Sequence, residues 1–109
     1  MKIAFATDEV RLICSDSKKA TRALGAQAVA KLQRRLAELA AASVLDDLAY
    51  GRPHPLLGNR AGQFALDLSG GIRLIFKPTR QPPPLRTDAS IDRTQISAIT
   101  IIEIGDYHD

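Results

Sequence analysis

The chain carries two histidines, and each stands where a reactive group could be put to use. His54 sits between two prolines in "GRPHPLLGNR", and His108 follows Asp106 and Tyr107 in the closing "ITIIEIGDYHD". An imidazole titrates near neutrality, so either ring can take or give a proton there. Between them in sequence, Arg73 lies in "GIRLIFKP". Its guanidinium is permanently charged, and its planar fork fits phosphate oxygens. Proton transfer beside fixed positive charge suits chemistry at a phosphate. Each residue also has a plainer reading: His54 as a turn residue, Arg73 as a solvent-facing strand residue, and the closing Asp-Tyr-His as a solvated tail.

Charge points the same way. The formal net charge is +3, but the cations are clustered. Lys18, Lys19, Arg22, Lys31, Arg34 and Arg35 fall in one acid-free run, and Arg52, Arg60, Arg73, Lys77 and Arg80 share a second tract with Asp67 alone. Two basic tracts on a small domain fit a polyanion such as RNA or DNA, or else a solvated helix face with scattered surface charge.

The remaining bulk features bound the class. At 109 residues, 45% hydrophobic and 25% charged, the chain reads as a single domain spanning 1–109. No apolar run is long enough to cross a bilayer. The start, "MKIAFATDEV", lacks a secretion-signal core, and the single Cys14 cannot close an internal disulfide, so a reduced, cytoplasmic setting is the expectation. No Cys/His cluster suggests zinc, and no cofactor is expected.

Several elements must position these groups. "KIAFA" alternates as a first strand, and Thr7 or Asp8 can cap the helix after it. "SDS" at 15–17 can kink or end that helix, and Gly25 closes its continuation. Leu24, Ala28, Leu32, Leu36 and Leu39 recur on one face of the clearest helix, and Ser43 reads as the cap of a short turn beyond it. The period then changes to two. "GQFALDLSG" and "GGIRLIFKP" form a hairpin about Ser69-Gly70-Gly71, and "QISAITIIEI" is a densely aliphatic last strand. Between the last two strands, 78–95 is a Pro-rich excursion expected to be flexible, since three successive prolines supply no amides to a ladder. The sum is an α+β domain: a small antiparallel sheet with N-terminal helices packed on one face, in the order β-α-α-β-β-β.

On this order, three pieces belong together: His54-Pro55-Leu56 with Gly58, Arg60 and Gly62; Arg73-Leu74-Ile75-Phe76; and Asp106-Tyr107-His108. Together they resemble the RelE/ParE superfamily of bacterial toxins, most closely its host-inhibition-of-growth (HigB, "system killer") branch. The resemblance covers essentially the whole chain. It implies a RelE-like fold and a toxin of a type II toxin–antitoxin pair. It further implies a metal-independent endoribonuclease that cuts mRNA on the ribosome by 2′-hydroxyl attack on the adjacent phosphate. The implied partners are a HigA-like antitoxin, often a helix-turn-helix protein, together with ribosome and mRNA, and no membrane.

The resemblance assigns catalysis to His54, Arg73, Asp106, Tyr107 and His108, and RNA binding to Arg60 and Lys77. Either histidine could be the base. Arg73, fixed by a strand, suits the phosphorane charge. Tyr107 offers a face for a base, and Asp106 a carboxylate to orient a histidine. The chain departs from the family at Leu57, where many relatives have lysine, and at Ile72 and Phe64, where larger aromatics are common. The competing readings are a non-catalytic ParE-like or degenerate binding module, and plain nucleic-acid binding.

Overall fold

The first strand, β1 (Lys2–Phe5), runs into Thr7, whose hydroxyl accepts the Val10 N–H at 3.2 Å and caps α1 (Asp8–Ser15). Asp16 ends α1 and begins α2 (Ser17–Leu24), its carboxylate accepting the N–H groups of Lys18 and Lys19 at 3.1 and 3.2 Å. Gly25, at φ +87°, supplies the left-handed backbone between α2 and α3 (Ala26–Ala41). One residue at each junction thus makes three helices where the sequence order counted two. The computed structural model describes residues 1–48 and 53–106.

Past α3, the turn is not capped by Ser43. The Asp47 carboxylate instead reaches back to accept the N–H groups of Ser43 and Val44 at 3.2 and 3.1 Å, closing a 3₁₀ turn over Leu45–Asp47. The strands that follow are β2 (His54–Pro55), β3 (Phe64–Asp67), β4 (Ile72–Pro78) and β5 (Ala98–Asp106). They form one five-stranded sheet in the order β1-β5-β4-β3-β2.

The sheet is mixed, not wholly antiparallel as expected. The strands β2 to β5 meander antiparallel, and β5 arrives beside β1 running in the same direction. The helices account for this: they carry the chain from β1 at one edge to β2 at the other, and the meander returns it. The β3–β4 turn is tight, with Leu68 N–H donating to Ile72 O at 2.9 Å and Gly70 at φ +62°.

One face of the sheet meets the helices. Phe64, Leu66, Leu74, Phe76, Ile99 and Ile101 pack there against Val10, Leu32 and Leu39. Each such buried side chain contributes roughly 1.5–3 kcal/mol. Phe64 and Phe76 stack at 5.6 Å. The Pro-rich connection covers the same side near β3: the Arg93 guanidinium lies 5.0 Å over the Phe64 ring, and Ile96 is buried. Within it, Leu85 pairs with Ile91, and Asp88 and Asp92 are held below the usual carboxylate range first by hydrogen bonds from Ser90 and Thr94.

Candidate functional site

The other face of the sheet carries His54, Arg60, Arg73 and Lys77. Alternation along β3 and β4 turns Ala65, Asp67, Arg73, Ile75 and Lys77 away from the helices. His54 pairs with Ala65 across β2–β3, so it shares this face. Leu56, Ala65 and Ile75, with Ile102, make a small apolar cluster beneath the polar groups.

A bulge decides what β5 contributes. Phe76 pairs with Ile101, but Ile75 pairs with Glu103, so Ile102 is the extra residue. Simple alternation would put Glu103 on the same side as Ile101, in the helical core. The bulge turns it outward, where Arg60 reaches it: Nη2 lies 2.7 Å from Glu103 Oε1, while Nη1 donates to Gln63 Oε1 at 3.1 Å. Arg60 therefore spans β4, from the turn before β3 to β5. His54, Ala65, Ile75 and Glu103 form one row across four strands.

Arg73 lies two residues from that row, opposite Gly105. Its Nε is 3.3 Å from Asp67 Oδ1 on the neighbouring strand. At 38% side-chain exposure it remains reachable from solvent. His54 and Arg73 are separated by two strands and two residues, about 12 Å between Cα atoms at ~4.8 Å per strand and ~3.3 Å per residue. Lys77 faces outward opposite Thr100 and makes no ion pair among the described residues.

The sequence-derived residues are thus only partly gathered. His54, Arg60, Arg73 and Lys77 share one face. Asp106 pairs with Ile72, on the alternate side of the pleat from Gly105, and its carboxylate lies against Gly71. Tyr107 and His108, the other two terminal candidates, lie outside the described residues, as does Arg52. The carboxylates Glu103 and Asp67 were not singled out from sequence. A lone acid inside "ITIIEI" was the available signal, since it breaks an otherwise aliphatic strand.

A second recess, of about 650 Å³, opens beside β2 on the helical side, between the Pro55–Gly62 turn and the Arg86–Arg93 segment. Leu57, 75% exposed, stands on its rim. Among the described residues no cluster of three or more His, Cys, Asp and Glu could hold a metal ion, and no helix is long and apolar enough to cross a membrane.

The whole architecture is similar to a solved structure, a YoeB/ParE toxin from Agrobacterium tumefaciens. The two superpose with a TM-score of 0.61 at 14% sequence identity, over 99% of this chain and 100% of that one. At that identity the likeness is one of fold. No protein-family model matches the sequence, and no curated protein does.

Proposed function

We propose that this chain is the toxin of a type II toxin–antitoxin pair, HigB-like in kind, and an endoribonuclease that cuts mRNA on the ribosome. The observation that carries the reading is the shared face of His54 and Arg73, left uncovered by helices on a fold similar to a YoeB/ParE toxin. The antitoxin is then a HigA-like protein, and the setting is the bacterial cytoplasm.

The chemistry asked of the face is modest. The ribose O2′ attacks the adjacent phosphorus, the P–O5′ bond breaks, and a 2′,3′-cyclic phosphate and a 5′-hydroxyl result. One group takes the 2′ proton and another returns a proton to O5′. His54 serves as one of these, and His108 as the other. The Arg73 guanidinium, its Nε aimed by Asp67, faces the charge that builds on the phosphorane oxygens. Arg60 and Lys77 hold flanking phosphates, Tyr107 stacks on a base, and Asp106 orients a histidine. Arg60 must trade part of its Glu103 contact to do so, which favours a supporting role for it.

Induced expression in a bacterium, followed by mapping of RNA 5′ ends, tests the reading. Growth arrest with new 5′-hydroxyl ends in translated messages is the expected result. His54→Ala should lower cleavage by about 10² to 10⁴. Toxicity unchanged in the His54→Ala/His108→Ala double variant would exclude the mechanism.

One observation favours a second reading, a ParE-like binder without catalysis. Both site arginines already face carboxylates, Arg60 with Glu103 and Arg73 with Asp67. Growth arrest with intact messages and a DNA-damage response would select it.

A further inference from the structure

Charge on the uncovered face is divided along its length. The acids that the strands turn to this face, Asp67 and Glu103, lie from the level of Ile75 toward the β3–β4 turn, and there they neutralise Arg73 and Arg60. The opposite half of the face has no strand carboxylate. It has Lys77 on β4 and Lys2 on β1. Lys2 is exposed and pairs with Ala98, while Ile3 and Phe5 turn toward the helical core, so Lys2 belongs to the same face as Lys77. Between the two lysines, the hydroxyls of Thr79 and Thr100 meet at 2.9 Å and are exposed. Neither lysine has an ion-pair partner among the described residues.

We infer that Lys77, the Thr79–Thr100 hydroxyl pair and Lys2 form a backbone-binding track for single-stranded RNA, extending the site from Arg73 along β4 and across to β1. The inference rests on the proposed ribonuclease reading for its ligand. The unneutralised charge lies not at Arg73 but about 13 Å further along β4, four residues at ~3.3 Å each. A substrate strand must therefore be longer than the dinucleotide being cut in order to use it. The lysines meet phosphates, and the paired hydroxyls donate to phosphate or ribose oxygens between them.

The track reads backbone and not bases. Phe5, Phe64 and Phe76 all pack on the helical side, so among the described residues the uncovered face offers no aromatic ring for stacking. Binding through cations without stacking is tolerant of sequence and strongly dependent on salt. Base preference would then come from elsewhere in the complex.

The probe is a short fluorescent 2′-O-methyl oligoribonucleotide of mixed sequence, which cannot be cut by 2′-hydroxyl attack. Its affinity for the full chain is measured by anisotropy across a salt series. Each lost phosphate contact on a single strand lowers the slope of log K against log salt by about 0.7, so Lys2→Ala/Lys77→Ala should lower it by about 1.4. Lys2→Arg/Lys77→Arg should restore it, and circular dichroism should show each variant folded. Lys18→Ala/Lys19→Ala, on α2, should leave the slope unchanged. An unchanged slope in the strand-lysine variant overturns the track, and so does an equal fall in the α2 variant, which would mark diffuse attraction. If the slope falls as expected while the wild type leaves ribosome-bound mRNA intact, the track stands and the nuclease reading fails.

Discussion

Arg60 and Glu103 meet at 2.7 Å across the intervening strand β4, closing over the cluster of Ala65 and Ile75. The pair is worth little as charge alone, because Glu103 is 44% exposed. Its use is to hold a long side chain flat across the face. Glu103→Gln should change stability by less than about 1 kcal/mol yet free the guanidinium for phosphate. Arg60→Ala also uncovers Ala65 and Ile75 and should cost about 1–2 kcal/mol in urea denaturation. Comparing the two variants separates cover from charge.

The bulge at Ile102 admits a sharper test. Deleting Ile102 makes Glu103 the direct neighbour of Ile101, so plain alternation keeps Ile101 on the helical side and Glu103 outward, opposite Ile75. The Arg60 contact is then retained, and the loss is that of the Ile102 side chain, which packs on Ala65 and Ile75. Deleting Ile102 and replacing it by alanine should therefore destabilise by similar amounts. Thermal melts of the two variants check this, and a far larger loss in the deletion would show that the extra residue itself holds the strand register.

Phe76 marks the centre of the fold. It is fully buried and stacked on Phe64. Phe76→Ala should cost about 3–5 kcal/mol. Leu57→Ala, at a position 75% exposed, should stay within about 0.5 kcal/mol. Chemical denaturation of both variants measures the contrast.

Burial pushes the Cys14 thiol up from 9.0 to about 11. Below pH 9 the thiol is protonated in folded and unfolded chains alike, and its contribution to stability is complete. Between pH 9 and about 11 the unfolded chain ionises and the folded one does not, so stability falls across that window. The wild type should therefore lose stability relative to Cys14→Ala as pH rises from 9 to 11, as read from urea midpoints. Alkylation of the native thiol at pH 8 should be slow, because little thiolate is present.

Local patterns in the sequence accounted for much of the scaffold. Thr7, Gly25 and Ser69-Gly70-Gly71 each act at the boundary they announced, because caps and turns depend on a few neighbouring atoms. Alternation in "IRLIF" put Arg73 on the outward side, which the register bears out. Ser43 did not cap; the turn is closed from its far end instead, where the Asp47 carboxylate accepts the N–H groups of Ser43 and Val44. The parallel pairing of β1 with β5 was not legible, since it joins segments with nearly the whole chain between them.

What the sequence determined by itself was which groups exist and which side of their own strand they take. It supplied Arg73 and Lys77 in a strand whose period fixes each side chain to one face, a property of backbone geometry that needs no partner, and it supplied His54 between prolines with no strand announced. Tertiary structure alone decided which strands lie beside one another, and therefore that Lys2 joins Lys77, that Asp67 meets Arg73, and that Glu103 leaves the core to meet Arg60. Register and bulges arise from the packing of several strands against one set of helices, and that balance cannot be read from any single segment.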